Sequence, residues 1–182
     1  MNISVKEMTL SHIESIVDYF LDADTQYLKG MGADKSKLPN RKDWIEKLIS
    51  EYKKPYNKKE FYYIIWYKDN EAIGHSNVNK IHYGTSATMH LHLWKTDVRQ
   101  KGLGLEFLKM TLPYYFKNLK LHTLYCEPYA KNIAPNKTLI KLGFELVQTY
   151  DTTPGWINFF QTVNRYELTK KKFEQLICGI QK

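Results

Sequence analysis

The fold of this chain is decided by residues 85–104, which read TSATMHLHLWKTDVRQKGLG. Residues 85–94 predict a strand, and the hexapeptide RQKGLG (99–104) opens the helical pattern that follows it. Gly102 and Gly104 let a ligand approach the backbone closely, and a helix N-terminus attracts anions. Arg99 and Lys101 add formal positive charge. The sequence therefore predicts an anion site, suited to a pyrophosphate, at residues 99–104.

Two better-known phosphate motifs do not fit this loop. A dinucleotide-binding fingerprint needs a third glycine at position 107, where the chain has Phe107. A P-loop needs Gly-Lys-Ser/Thr after four intervening residues, and that sequence is absent. Both alternatives are excluded.

The rest of the chain predicts a mixed α/β layer fold in one domain covering residues 1–182. Ser11 is expected to cap the first helix, and Pro113 is expected to bend or end the helix that follows the glycine loop. Residues 31–40 carry Gly32 and Pro39 and predict a loop long enough to act as a lid. Strands are predicted at residues 3–8, 61–67, 72–79, 85–94, 121–126, 144–150 and from the turn at 154–155 to about 168; helices are predicted at 13–21, around 44–52, at 104–116, from near 135, and at the C-terminus.

Composition indicates an ordinary globular protein. The chain has 182 residues, of which 43% are hydrophobic and 25% charged, which excludes a disordered or fibrous class. Its 2 cysteines cannot form a disulfide framework and lack zinc-site spacing. No apolar run approaches the ~18 residues of a membrane span, and no secretory signal is visible. We therefore expect a cytoplasmic protein without a membrane partner.

The formal net charge of +8 bears on partners and not on the fold. It favours phosphates and other polyanions and modestly disfavours a polycationic substrate. The basic residues are dispersed, and the densest run, residues 170–172, is typical of a solvated helix face. The aromatic residues follow no nucleic-acid stacking signature, so nucleic acid is not an expected partner.

Two motifs in the correct order resemble the GNAT superfamily of acyl-CoA-dependent N-acetyltransferases. The first is Arg/Gln-x-x-Gly-x-Gly/Ala after the fourth strand of that fold, matched by Arg99, Gly102 and Gly104. The second is an asparagine followed eleven residues later by Gly-Phe, matched by Asn132 and the pair at 143–144. Asn136 stands where Rim-type members, which acetylate N-termini of ribosomal proteins, often carry an asparagine.

The resemblance implies a central mixed, mostly antiparallel sheet with helices on both faces and with strands four and five splayed apart. The pantetheine arm of acetyl-CoA, the co-substrate, would enter that gap, and a backbone N–H near residues 91–93 would polarise the thioester. An amine would attack directly in a ternary complex, without an acyl-enzyme and without a metal. The implied cofactor-binding residues are Leu91, Leu93, Arg99, Gln100, Lys101, Gly102, Leu103, Gly104, Asn132, Asn136 and Lys137.

His90 and His92 alternate along the predicted strand, so both point to one face. One of them is the candidate base that deprotonates the incoming amine, since the pKa of histidine lies near neutrality. The alternative is that both are hydrogen-bonded histidines of a pocket wall. A third interpretation, a metal-binding pair, lacks a third ligand at a suitable spacing.

The group that reprotonates the leaving thiolate departs from the pattern of the superfamily. Leu139 stands where many members carry a tyrosine, and Pro135 where Rim-type members carry a serine. Tyr129 is the candidate acid, and Cys126 and Glu127 lie near it in the sequence. All three also have a structural interpretation.

Three cofactor candidates have structural alternatives. Asn132 and Asn136 would either bind pantetheine or cap the local backbone. Lys137 would either meet a ribose phosphate or lie exposed. The acceptor region implied by the resemblance comprises residues 27–40 and 150–160, and four tryptophans are candidates for its wall: Trp44, Trp66, Trp94 and Trp156.

The sequence thus predicts transfer of an acetyl group from acetyl-CoA to a primary amine by a monomer or homodimer. The Rim-type resemblance favours a protein or peptide N-terminus as acceptor, with a small-molecule amine as the alternative. A different class stays open: a non-catalytic acyl-CoA-binding regulator or a module associated with ribosomes or RNA.

Overall fold

A computed structural model describes residues 2–95 and 102–180 of the chain. Seven strands form one sheet in the order β1-β2-β3-β4-β5-β7-β6. Only β4 and β5 run parallel, and the other neighbours are antiparallel. The strands are β1 (Ile3–Glu7), β2 (Tyr62–Lys68), β3 (Glu71–His82), β4 (Ser86–Leu93), β5 (Thr123–Cys126), β6 (Glu145–Thr152) and β7 (Gln161–Thr169).

Helices cover both faces of this sheet. One buried cluster joins the first three helices to Tyr63 and Ile65 of β2, and the other joins the last three to Tyr62 and Ile64. Neighbouring residues of a strand point to opposite faces, so these pairs place the two helix layers on opposite sides. The helices are α1 (Ile13–Leu21), α2 (Thr25–Gly30), α3 (Arg41–Lys53), α4 (Leu103–Asn118), α5 (Ile133–Lys141) and α6 (Lys170–Ile180).

Packing against β2 fixes the position of α4, the helix that follows the glycine loop. The rings of Trp66 and Phe107 stack with centroids 5.1 Å apart. The buried Trp66 indole N–H donates to Thr111 Oγ1 at 2.9 Å, which satisfies a polar group that burial would otherwise penalise. The start of α4 is therefore held at a fixed place relative to the sheet.

The parallel pair β4–β5 separates partway along its length. Register pairs run from Ser86 with Thr123 to Met89 with Cys126, and β4 then continues to Leu93 without β5 beside it. The expected mixed, mostly antiparallel sheet with two separating central strands and helices on both faces is confirmed.

The prediction for Ser11 is wrong, and of the two outcomes expected at Pro113, a bend or an end of the helix, the second is excluded. Ser11 does not cap α1, because it lies inside a 3-10 turn, Leu10–His12, that precedes the helix and is entered from Thr9. Pro113 does not end α4, which continues to Asn118. Proline removes one helical hydrogen bond, but Leu112, beside it in the same turn, is buried in the core and contributes packing that offsets the loss.

Residues 31–40 were expected to form a loop, and they contain a 3-10 turn; the short helix α2 precedes them. The short helix α2 is capped by Asp24, whose Oδ1 accepts from the backbone N–H of Gln26 at 2.7 Å. A 3-10 turn, Lys35–Lys37, is capped in the same way by Asp34. Within the described residues, no helix combines the length and apolar character needed to cross a membrane.

Candidate active site

A cavity of about 160 Å³ lies on the face of the sheet that α1, α2 and α3 cover. Its floor is formed by β3 and β4 at the point where β4 leaves β5. Its sides come from α1, α3, the start of α5 and the segment that joins β6 to β7. Both strand ends and helix ends therefore face one partly open cavity.

Four side chains form what we call the polar floor: Asn77, Asn79, His90 and His92. They share one face because side chains alternate along a strand, and Asn77 is paired with His90 across the two strands. His90 Nε2 lies 3.1 Å from Asn79 Oδ1. A carboxamide oxygen only accepts, so Nε2 donates and Nδ1 of the neutral ring keeps its lone pair.

Asn77 is the polar-floor residue whose polar atoms are most available to a ligand. The residue is only 7% exposed and lines the cavity. No described residue hydrogen-bonds its carboxamide, although buried polar groups are normally paired. We therefore consider it a ligand-binding group that the sequence did not reveal.

The protein environment keeps both cavity histidines neutral at physiological pH. Burial lowers the pKa of His90 to about 4, and Lys80 lowers it further while Glu127 opposes the shift. Burial, together with His75 and His90, lowers the pKa of His92 well below its usual value. Each ring therefore has an unprotonated nitrogen that can accept a proton, and the lowered pKa makes it a weaker base than an exposed histidine.

His92 is packed more tightly among aromatic rings than His90. Its ring centroid lies 5.1 Å from that of Phe20 and 4.9 Å from that of His75. Tyr19 Oη stands 3.4 Å from His92 Nδ1. Of the two candidates, His90 has the freer acceptor nitrogen.

His75, whose ring packs against that of His92, lies on the same face of the sheet. The indole N–H of Trp94 donates to His75 Nδ1 at 2.8 Å, so the neutral ring carries its proton on Nε2. That nitrogen is buried without a hydrogen-bond partner among the described residues. Burial lowers the pKa of His75 to about 3, and the ring is therefore neutral.

The carboxylate of Glu127 marks the end of β5 and lines the cavity. Its side chain is 4% exposed, Arg165 and Tyr150 donate to Oε1 at 2.8 and 2.7 Å, and Lys80 Nζ lies 3.8 Å from Oε2. Two cations and a tyrosine hydroxyl contact this side chain, so its oxygens act as hydrogen-bond acceptors and ion-pair partners. Neighbouring Cys126 is buried in the opposite core, and burial raises the pKa of its thiol, so it is a poor acid.

The two asparagines of the second motif have different environments. Asn132 occupies the N-cap position of α5, but its side chain makes no capping hydrogen bond and lines the cavity. Asn136 is buried: its Nδ2 donates to the carbonyls of Asn132 and Tyr129 at 2.7 and 3.1 Å, and its Oδ1 accepts from Asn164 and Tyr166 at 2.8 and 3.0 Å.

Those four hydrogen bonds use every polar position of the Asn136 side chain. Direct contact between that side chain and the cofactor, as the resemblance implied, has no donor or acceptor left to make it. The capping alternative fails for Asn132, whereas Asn136 does bind the local backbone through two carbonyls and also ties α5 to β7. Lys137 is exposed on α5.

Backbone groups of Leu91 face the gap between the separating strands. Thr85 C=O accepts from His122 and Thr123 on the β5 side, whereas Trp94 N–H donates to Ile73 on the β3 side. Backbone groups alternate in direction with a period of two, so Leu91 points toward β5. Pairing with β5 stops at Met89, and β5 offers Leu91 no partner.

The described part of the glycine loop has open space beside it. Gly102 has a φ of +76°, which favours glycine, and a Cβ built there or on Gly104 would meet no atom of the described residues within 4 Å. Leu103 turns its side chain into the core, which fixes the first turn of α4. Arg99, Gln100 and Lys101 lie outside the described residues.

Other predicted residues have varied positions. Tyr129 lines the cavity, and so do Trp44 and Trp156, whereas Trp66 belongs to the core. Pro135 also lines the cavity. Among residues 2–95 and 102–180, no group of three His, Cys, Asp or Glu side chains could hold a metal ion.

The sequence analysis missed Asn77 and Asn79. A signal was available, because polar residues at every second position of a strand otherwise rich in buried residues indicate a polar patch on one face. The gap between β4 and β5 and the N-terminus of α4 together form a site suited to an extended ligand that carries an anionic group beside the cavity.

Comparison with known proteins gives the class. Residues 3–145 match the acetyltransferase (GNAT) domain, which is most of the chain, and the chain belongs to this family. It is therefore an acetyltransferase, of the family that transfers acetyl groups from acetyl-CoA to amines. No curated protein matches the sequence.

Solved structures agree in fold at low identity. Spermidine N-acetyltransferase from Vibrio cholerae, in complex with CoA and spermine, is 16% identical with a TM-score of 0.75, covering 94% of this chain and 98% of that chain. RimL, a ribosomal L7/L12 α-N-protein acetyltransferase in complex with coenzyme A, is 13% identical with a TM-score of 0.76, covering 94% and 96%.

Aminoglycoside acetyltransferase AAC(6')-Ib, in complex with coenzyme A, is 14% identical with a TM-score of 0.72, covering 96% and 98%. At such identities these similarities establish the fold alone. They do not single out the Rim-type branch, because RimL, the spermidine enzyme and the aminoglycoside enzyme match comparably.

Proposed function

We propose that the cavity binds a primary amine and that His90 removes its proton while acetyl-CoA, bound along the gap beside β4, donates the acetyl group. The observation that carries this proposal is His90 itself: a neutral imidazole whose Nδ1 no described residue hydrogen-bonds, facing a cavity at the point where β4 and β5 separate. His92 is the second candidate base.

The open N-terminus of α4 suits the diphosphate of the co-substrate. Free N–H groups and the helix dipole favour an anion there, and Gly102 and Gly104 leave room for it. Arg99, Gln100 and Lys101 would add contacts from the preceding loop, and Lys137 would meet a phosphate from α5.

The gap beside β4 suits the pantetheine arm. An extended chain with amide groups can replace a missing strand by pairing with unpaired backbone groups. Leu91 N–H faces the gap and would polarise the thioester carbonyl, and Leu93, the last residue of β4, would lie further along the cofactor. Asn132, with its unused carboxamide at the cavity, would hydrogen-bond the arm near its reactive end.

Proton removal is assisted by the cavity as well as by His90. An alkylammonium has a pKa of about 10 in water, and an apolar environment lowers the pKa of an ammonium ion. Asn79 holds the His90 ring so that Nδ1 stays the accepting nitrogen. The new N–C bond then forms, the C–S bond breaks, and the amine proton passes to Nδ1.

The leaving thiolate takes up one proton. Glu127 is held by two cations and Cys126 is a buried weak acid, so Tyr129 is the remaining candidate among the described residues proposed for this step. Its phenol lines the cavity near the end of β5.

The Rim-type resemblance favours a protein or peptide N-terminus as acceptor, and a small amine is the alternative. The structural neighbours include examples of both acceptor types: RimL is named for a ribosomal protein, and spermidine N-acetyltransferase for a small amine. The cytoplasmic location, the single domain and the monomeric or homodimeric state stay predictions of the sequence.

The test is acetyl-CoA-dependent thiol release with a panel of primary amines, comparing the wild type with His90→Gln, His92→Gln and the control His82→Gln, which alters an exposed histidine at the end of β3. We expect His90→Gln to lower kcat by about 100-fold or more, as the loss of a general base does, with KM for acetyl-CoA unchanged.

Equal rates in His90→Gln and His82→Gln would contradict the assignment of the base. Tight binding of acetyl-CoA without turnover of any amine would favour the non-catalytic regulator. RNA binding that weakens steeply with salt would favour the RNA-associated alternative.

A further inference from the structure

The wall of the cavity formed by the helices and by the segment between β6 and β7 is lined with aromatic rings. Phe20 and Trp44 lie with ring centroids 5.2 Å apart, and Trp44 and Trp156 with centroids 5.8 Å apart. Phe61 and Tyr63 also line the cavity, with Tyr63 on the sheet beside Asn77, its register partner in β3. Such rings bind apolar and aromatic groups by contact area and edge-to-face packing.

The size of the cavity matches one ring-sized group. Its volume is about 160 Å³. An apolar cavity of about 150 Å³ in another protein is known to bind benzene. The cavity thus has room for a single ring and a short linker.

The charge of the lining does not suit a polycation. Among the described residues that line the cavity, Glu127 is the only carboxylate, and Arg165 and Lys80 already neutralise it. Lys47, whose side chain is 50% exposed and whose Nζ lies 3.9 Å from Glu60 Oε2, brings no further negative charge to the lining. A second or third ammonium group would lose water there without gaining a counter-charge.

Asn77 supplies the polar contact that a single amine needs. Its unpaired carboxamide lies beside His90 on the polar floor. Its Oδ1 can accept one N–H of a neutral amine while His90 Nδ1 accepts the proton that leaves. The amine would thus be held at the floor and its apolar body against the rings.

We infer that the acceptor is a primary amine joined by a short linker to one apolar, ring-sized group and carrying no second positive charge. This inference rests on the proposed function of the same cavity. Two sources share this chemistry: a free arylalkylamine and the N-terminal residue of a peptide when that residue has an aromatic side chain.

The experiment compares kcat/KM for thiol release from acetyl-CoA with four probes: 2-phenylethylamine, the peptide Phe-Gly-Gly, spermidine and kanamycin. We expect one of the two aromatic amines to exceed both polycations by at least tenfold, and the better of the two identifies the source. The same comparison is made with Trp156→Ala and with Phe160→Ala as a matched control.

Both substituted aromatics are exposed in the same segment, Trp156 at 49% and Phe160 at 71%, but only Trp156 lines the cavity. Trp156→Ala is expected to raise KM for the aromatic amine about tenfold and to leave KM for acetyl-CoA unchanged, while Phe160→Ala changes neither. Spermidine or kanamycin as the best acceptor would overturn the inference and leave the acetyltransferase function intact. Absence of turnover with all four probes, with acetyl-CoA bound, would contradict both.

Discussion

Asn132 and Asn136 lie about one helical turn apart, and their substitution by alanine should affect different properties. Asn136→Ala should lower the stability of the fold, and Asn132→Ala should weaken the binding of acetyl-CoA. Asn136→Ala removes four hydrogen bonds and leaves the buried hydroxyl of Tyr166, the carboxamide of Asn164 and two carbonyls without this partner. Each buried polar group left unpaired costs about 1–3 kcal/mol, although water and relaxation recover part of the sum. We expect a total loss of about 3 kcal/mol, which lowers Tm by roughly 6–12 °C in a chain of this size.

Asn132→Ala removes a side chain that hydrogen-bonds no described residue, so the free energy of unfolding should change by less than about 0.5 kcal/mol. If its carboxamide binds the co-substrate, KM for acetyl-CoA should rise about tenfold, which corresponds to ~1.4 kcal/mol. Urea denaturation and thiol-release kinetics on both variants measure the two effects. Equal losses of stability, or an unchanged KM in Asn132→Ala, would refute the division of roles between these residues.

Three further predictions concern stability and specificity. The pKa of His75 is lowered by burial, so its contribution to stability is complete above the unfolded pKa of about 6.5 and is lost as pH falls toward 3. Between pH 6 and 4 the free energy of unfolding should fall from this group by a slope approaching about 1.4 kcal/mol per pH unit, measured by urea denaturation, and a His75→Phe variant should show a shallower slope. Thr111→Val leaves the Trp66 indole N–H unpaired and should cost about 1–3 kcal/mol in the same assay, whereas Thr138→Val, at a more exposed position with a similar backbone hydrogen bond, should cost less than about 0.5 kcal/mol; equal costs would contradict the role of that buried hydrogen bond. Lys47→Glu reverses the charge of the cavity wall and should raise kcat/KM for spermidine relative to 2-phenylethylamine by about tenfold; an unchanged ratio would show that wall charge does not select the acceptor.

The sequence predicted the sheet and the separated strands because these depend on patterns that survive in a single chain. Alternation along residues 85–94 and glycines at 102 and 104 place the strand, the open loop and α4 in order. The extent of α1 was also predicted, but the capping role of Ser11 was wrong, because Ser11 and Thr9 are both favourable capping residues and only the backbone path distinguishes them.

The chemistry of the cavity was only partly predictable. His90 and His92 were recognised on the predicted strand, and both line the cavity. The role of Asn79 in orienting His90 depends on the register between β3 and β4, which the sequence does not specify. The same limit applies to Asn136, whose partners in β7 are distant in the chain and whose motif position suggested a ligand contact.

The most direct test of the account is a crystal structure of the protein with acetyl-CoA bound. The account predicts the diphosphate at the N-terminus of α4 and the thioester carbonyl oxygen within about 3.2 Å of Leu91 N, with His90 facing the acetyl group across the cavity. A pantetheine arm bound elsewhere, or a Leu91 N–H that hydrogen-bonds protein and not the thioester in the complex, would contradict it.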